Sequence, residues 1–358
     1  MRVCILGYGL SSLALAQALV NKKIYVDVIF KNKINKINQG RTLGISKSNV
    51  ENFNKHIINI DNIRWKINKI EIFSDNLKNE KIINFEDNSK FLFSVIKNFK
   101  LLDKLEKNLY KNKYFNKINS KIENSICKNY DLIINTEYNN LFTKKYFSKK
   151  ILKTYNSQAY TATIKHEKKI NNVASQIFTK KGPLAFLPIS NQETSVVFSI
   201  HNSKNKEKEN LEELIKFYNS KYKIKKIYNF ETFNLKSLSL RSYCHENILA
   251  FGDLLHKVHP LAGQGFNMTL RDIIDLTKII NNKIDLGLPL DKSINYDFEK
   301  KTKPKNFIFS NGIDLIHEFF NFERKSKNIF LGKSVQILGK NPTINKLFNK
   351  IADEGLIY

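Results

Sequence analysis

The first thirty residues constrain the fold most. Val3-Cys4-Ile5-Leu6 is an apolar run, and Gly7-Tyr8-Gly9 follows it. Residues 11–20 place Leu13, Ala14, Ala16, Leu19 and Val20 on a helical face, and residues 24–30 form a second apolar run. Strand, glycine turn, helix and strand at this separation make a βαβ unit, in which bare glycines let phosphates approach the helix start. The same uncharged stretch, 3–20 behind Arg2, has the look of a secretory leader. Glycines at nucleotide-turn spacing, a single arginine and a second strand at the crossover distance argue against that reading.

The formal charge is +27, from 60 basic and 33 acidic residues. Such an excess points to nucleic acid or an anionic surface. Here the lysines are scattered in pairs, such as Lys22-Lys23 and Lys180-Lys181, and no zinc-finger spacing, aromatic RNP-like strand or basic heptad helix accompanies them. Nucleic acid is therefore not expected as a partner. Attraction to an anionic membrane stays open, since each cation near one contributes about 1 kcal/mol. Cys4, Cys127 and Cys244 are isolated and odd in number, so buried reduced thiols are expected, and with them a cytoplasmic setting, peripheral at the inner membrane if the lysines act there. No stretch reaches the roughly 18 apolar residues of a membrane span.

Beyond residue 30 a loop leads to a helix opened by Ser46 or Ser48. Strands are expected at 70–73, 91–95 and 130–134, with a helix at 101–109. Strands dominate from 155 to 245 (159–164, 174–178, 184–188, 194–200), interrupted by a charged helix at 206–222. The tail from about 291 reads as helical. Its apolar residues between Phe307 and Phe322 are expected to pack on the core, with a membrane or subunit contact as the alternative.

The densest chemistry lies at 248–276. Ile248-Leu249-Ala250-Phe251 runs into Gly252-Asp253; His256, His259 and Pro260 follow, then Gly263-Gln264-Gly265-Phe266-Asn267 opens a helix. A strand-end carboxylate accepts hydrogen bonds from a sugar-like chain. Glycines let backbone N–H groups approach a flat ring, and the helix N-terminus offers it about half a positive charge. Such a terminus would stabilise the negative edge of a reduced flavin. His256 and His259 have no carboxylate or cysteine set beside them, so packing roles are expected and no metal.

This constellation, with Arg271-Asp272 after it, closely resembles the second FAD-binding signature of class A FAD-dependent aromatic monooxygenases, and most of all the ubiquinone-biosynthesis hydroxylase family. Residues 182–188, Tyr155 with Gln158-Ala159, residues 41–46 and the 324–339 region with Leu331-Gly332 are similar as well. The resemblance implies an α/β fold: a Rossmann-like FAD-binding domain of the GR2, para-hydroxybenzoate-hydroxylase type, an interleaved β-sheet substrate domain and C-terminal helices. The expected boundaries are 1–65 with 97–150 and 246–300 for FAD, 66–96 with 151–245 for substrate, and 301–358 for the helical region. It further implies FAD held by Gly7, Gly9, Ser12, Arg41, Gly252, Asp253, His256, Pro260, Gly263, Gln264, Gly265, Phe266 and Asn267. The implied reaction is ring hydroxylation of a polyprenylated phenol with NAD(P)H and O2 through a flavin C4a-hydroperoxide, within a ubiquinone-biosynthesis complex. No catalytic side chain is identified.

Three positions depart from the pattern. Ser12 stands for the third glycine, Phe30-Lys31 for the ribose-binding acid, and Glu137-Tyr138 for an Asp-Gly pair beside the pyrophosphate. All lie on the adenosine and pyrophosphate side. A non-catalytic flavoprotein accessory of the same complex and a flavin-dependent isoprenoid reductase are therefore the competing expectations.

Overall fold

The computed structural model describes residues 1–31, 39–75, 80–86, 91–120, 129–201, 210–259, 263–326 and 341–355. In chain order the first half comprises β1 (Arg2–Leu6), α1 (Leu10–Val20), β2 (Tyr25–Phe30), β3 (Thr42–Ser46), α2 (Lys47–His56), β4 (Arg64–Ile67), β5 (Lys69–Ser74), β6 (Glu80–Glu86), β7 (Phe93–Lys97), α3 (Asn98–Leu109), β8 (Phe115–Asn119), β9 (Leu132–Asn135) and α4 (Leu141–Tyr146). The second half comprises β10 (Lys150–His166), β11 (Val173–Thr179), β12 (Gly182–Pro188), β13 (Glu193–His201), α5 (Leu211–Tyr218), β14 (Ile224–Leu240), β15 (Cys244–His245), β16 (Ile248–Ala250), β17 (His256–Lys257), α6 (Gln264–Asp285), α7 (Ser293–Ser326) and α8 (Pro342–Glu354).

A six-stranded sheet runs β15-β16-β9-β1-β2-β8. Its central strands are parallel, with Val3 opposite both Val26 and Leu132. Strands covered on both faces are mostly apolar, which explains the runs in β1, β2 and β9; the buried exception, Asp27 in β2, is paired with Arg2 and Tyr130. Helix α1 is apolar on nearly all sides because it is buried on nearly all sides, from Ser12 to Val20. Leu101, Leu105 and Leu109 of α3 join the same core.

The second sheet runs β17-β14-β10-β13-β12-β11-β5-β6. Alternation divides its faces. Leu184, Phe186, Val196 and Phe198 face a core closed by Ile215 of α5 and by Tyr222. The opposite face carries Thr161, Val197, Ala185, Gln176 and Ile72, which the register places in one row across five strands. A third sheet, β3-β7-β4, is built from the stretch between β2 and β8, with β5 and β6 of the second sheet inserted between its β4 and β7.

Several expectations change. Within the expected loop, Thr42–Ser46 form a strand whose backbone pairs antiparallel with β7, Thr42 opposite Lys97 and Ser46 opposite Phe93. The 206–222 helix is shorter: Asn210 caps it at Glu212 N (3.1 Å), and Asn219 ends it by folding its side chain onto Lys221 N, Tyr222 N and Tyr222 O. Strand β16 stops at Ala250; Gly252, at φ +63°, turns the chain into a 3-10 turn at Gly252–Leu254, so Asp253 sits in that turn and not at the strand tip. Between 307 and 322 the apolar residues divide: Phe309 and Ile313 pack with Val258 and Met268, whereas Phe307, Ile308, Leu315, Ile316 and Phe322 are exposed. Most of the 324–339 similarity lies outside the described residues.

Candidate functional site

One cavity of about 2270 Å³ runs from the glycine turn after β1, past the start of α6, to the open face of the second sheet. It gathers Gly7, Gly9, Ser12, Arg41, Asp253, His256, Gly263, Gln264, Gly265, Phe266 and Asn267 along one continuous wall. Gly252 is not part of that wall; a Cβ there would press on Ser11 Cβ at 2.9 Å, so its bareness serves the packing of α1 against the turn. Pro260 lies outside the described residues.

At the dinucleotide end, Gly7 has φ +112°, and a Cβ on it would overlap Thr136 Oγ1 and come within 2.9 Å of Glu137 Cγ. Only glycine fits there. A Cβ on Gly9 would meet nothing within 4 Å, so the N-terminus of α1 opens directly onto the cavity. Ser12 replaces the third glycine through hydrogen bonding. The Thr136 hydroxyl donates to Leu6 O (2.8 Å), so Ser12 Oγ donates to Thr136 Oγ1 (2.8 Å) and ties α1 to the end of β9. Burial raises the Glu137 carboxyl above its usual range. Tyr138 donates to the carbonyl of Asp253, bridging the two loops that flank this end.

At the ring end, Gly263 caps α6 in the left-handed conformation, φ +64°. Asn267 is saturated by protein: its Nδ2 donates to Gly44 O (3.0 Å) and Gly263 O (3.3 Å), and its Oδ1 accepts from Ser46 N (3.0 Å) and Asn49 Nδ2 (3.2 Å). It therefore pins β3 to the glycine-rich start of α6. His256 contacts Asp272 through Nε2 (2.5 Å), and Asn306 holds the other carboxylate oxygen (3.0 Å). Arg41 lies over the Phe233 ring (4.9 Å) and 3.6 Å from Glu231, both on β14. Among the described residues no cluster of histidine, cysteine or carboxylate side chains is arranged to hold a metal.

Four wall residues have a buried polar atom without a partner among the described residues: Asn98 Oδ1, Thr161 Oγ1, His256 Nδ1 and Gln264 Oε1. Orphaned polar atoms are costly in a closed interior and mark places where a ligand completes the pairing. They run from α3 past the start of α6 to the sheet floor, so the residues present fit an elongated ligand with polar edges, as FAD has. The cavity also exceeds the roughly 300–1,000 Å³ of a typical single-ligand pocket, leaving room for a second molecule.

Sequence reasoning missed part of the wall. Asn98, Leu102 and Glu106 project from one face of α3, Thr161 and Gln176 rise from the floor, and Ala352–Glu354 close the ring end from α8. There Asp353 Oδ1 accepts from Ser48 N (2.8 Å), capping α2 from the far end of the chain, and Gln264 Nε2 donates to Ala352 O (3.2 Å). The α3 positions carried a signal, spacing by four behind a leucine stripe; the α8 contact carried none.

Comparison with known proteins agrees with this geometry. Residues 147–285 match the family described as FAD binding domain. The chain is 27% identical over 157 residues to 3-demethoxyubiquinol 3-hydroxylase of Escherichia coli, covering 41% of this chain and 39% of that protein. It is 29% identical over 118 residues to the mitochondrial ubiquinone biosynthesis monooxygenase COQ6 of Drosophila melanogaster, covering 33% and 25%. The chain thus spans about two-fifths or less of the length of these two relatives. The fold matches p-nitrophenol 4-monooxygenase of Pseudomonas putida with a TM-score of 0.78 at 10% identity, covering 97% of this chain and 96% of that one. It also matches Klebsiella pneumoniae HpxO, solved with FAD and uric acid, with a TM-score of 0.75 at 10% identity over 99% and 97%. The fold is thus shared with these two proteins along nearly the whole chain, and the FAD binding domain match falls within residues 147–285.

Proposed function

We propose that this chain is an FAD-dependent monooxygenase that hydroxylates the aromatic ring of a polyprenylated ubiquinone precursor. The balanced reaction takes one ring C–H, O2, NAD(P)H and a proton to the phenol, water and NAD(P)+. The observation that carries the reading is convergence: the glycine turn, Asp253 and the start of α6 share one cavity with a mostly apolar sheet floor.

When bound, FAD supplies the redox chemistry, accepting hydride and activating dioxygen. The chain's own residues bind and orient. Gly7 and Gly9 with the α1 N-terminus receive the diphosphate, and Gly263 to Phe266 with the α6 N-terminus receive the ring. Asn267 holds that start rigid. On the floor, Ile70, Ile72, Ala174, Ala185, Leu187 and Val197 exclude water, while Thr161 and Gln176 offer polar atoms to a phenol oxygen. In the same reading, 1–65 with 97–150 and 246–300 form the cofactor unit, 66–96 with 151–245 the substrate unit, and 301–358 a helical appendage.

A second reading has support in the bond from Tyr138 to the Asp253 carbonyl and in Phe30-Lys31 at the end of β2, both on the nucleotide side. In it the chain binds flavin but does not turn over, serving as an accessory. Purified protein reconstituted with FAD decides. Oxygen consumption and NAD(P)H oxidation stimulated by a prenylated phenol, with hydroxylated product, support the enzyme. Bound flavin without stimulated turnover supports the accessory. Protein that binds no flavin sinks both.

A further inference from the structure

The dinucleotide end poses an unsolved recognition problem. A nucleotide ribose presents two hydroxyl donors, and a βαβ cofactor site meets them with a carboxylate at the end of the second strand. Here β2 ends in Phe30, buried in the sheet, followed by Lys31, a cation with no acceptor. Among the described residues, two carboxylates lie near the glycine turn, on opposite sides of it. Glu137 follows β9, and its Cγ packs beneath Gly7. That is the side of β1 away from β2, since the sheet order is β9-β1-β2-β8.

The other carboxylate is Glu106. It stands on α3 two turns after Asn98, on the face that lines the cavity rather than the Leu101-Leu105-Leu109 face that enters the core. Tyr8, the middle residue of the glycine turn, packs against Phe30 with ring centroids 4.7 Å apart and planes tilted by 35°, and donates its hydroxyl to Glu106 Oε1. Lys117 of β8, the strand beside β2, lies over the same two rings at 4.2 and 5.1 Å and 4.0 Å from Glu106. These contacts fix the carboxylate over the β2–β8 edge, the side on which the strand-end acid would have stood. Oε1 is occupied; Oε2 has no partner among the described residues, and Glu106 lines the cavity.

We infer that Glu106 is the ribose-binding acid of this chain, moved from the end of the second strand to the crossover helix. This rests on the cofactor reading above. Tyr8 positions the carboxylate, and the adenosine ribose hydroxyls donate to its second oxygen.

Flavin titrations followed by fluorescence quenching, with FAD and FMN in parallel, test the assignment. Replacing the charged acceptor, Glu106→Gln, is expected to weaken FAD binding about tenfold or more. FMN lacks the adenosine and should bind the variant within twofold of wild type. A selective loss of FAD affinity of fivefold or more supports the assignment. A smaller loss, or an equal loss for both flavins, overturns it and leaves Glu106 as a prop for Tyr8. A second arm needs no variant: ADP should displace FAD from wild-type protein better than 2′,3′-dideoxy-ADP, and equal potency overturns the inference. Wild-type protein that binds neither FAD nor ADP removes the cofactor reading itself, an outcome distinct from FAD bound without any effect of Glu106→Gln.

Discussion

Acidification should unlatch α7 from the second sheet. His259 and His317 lie against each other there, tilted by 36° with centroids 4.2 Å apart, Tyr155 meets both edge-on at 4.9 Å, and His201 lies 6.1 Å from His317. Tyr155 donates to Asp314, Lys153 bonds Glu318 (2.9 Å), and Asn321 bridges His201 and His317. Both rings of the pair are almost fully buried, and neither nitrogen of His259 has a partner among the described residues. Burial, then His317 and His201, lowers His259 to about 3; burial, then His201, lowers His317 to about 4, against the pull of Glu318 and Asp314. A folded pKa below the unfolded one means that the unfolded chain binds more protons, so stability falls as pH drops through about 6.5 and keeps falling until the folded values are reached. Between pH 7 and 5 each ring costs about 2 kcal/mol, or about 4 kcal/mol for the pair. Urea unfolding at both values measures the loss. In His259→Phe the ring contacts persist while the orphaned nitrogens go, so stability at pH 7 should hold or rise and the pH 5 loss should shrink by about 2 kcal/mol. Equal pH dependence in wild type and variant would refute the reasoning.

Three further outcomes follow from single contacts. Gly7→Ala combines a disfavoured φ with overlap on Thr136 and should cost about 2–5 kcal/mol in urea unfolding; a loss under about 1 kcal/mol would show that the turn relaxes. Asp353→Ala removes the cap on α2 supplied from α8 and should lower stability by about 1 kcal/mol, read as a lower Tm. Thr161→Val deletes an unpartnered hydroxyl, so the melting temperature should hold, while KM for the phenol rises about tenfold with kcat changed less; an unchanged KM would remove Thr161 from the substrate contact.

What the sequence made legible was wherever backbone geometry dictates residue type. Gly7 and Gly263 were readable because both take a positive φ that other residues rarely adopt, and β1, β2 and β9 because a doubly covered parallel strand is mostly apolar. What escaped was assembled across the chain. A glutamate on an amphipathic helix reads as a solvated charge until Tyr8, about a hundred residues away, is seen to hold it. Asp353 looks like an ordinary helix-end acid until Ser48 donates to it. Strand β14 was overlooked because lysines and other polar residues occupy its outer positions. Nothing local marked Thr161 as a floor residue either; only the register with Val197 puts it there.

The row Thr161, Val197, Ala185, Gln176 and Ile72 bears on how such a chain can diversify. Each member is one step from a neighbour that points into the opposite core, so a single residue inserted into β12 would swap its two faces and drive Leu184 or Phe186 into the ligand space. Extra residues are taken up instead in β14 and β6, the strands that flank the row, as bulges beside Thr161 and Ile72, so the floor keeps its register while its outer neighbours absorb changes of length.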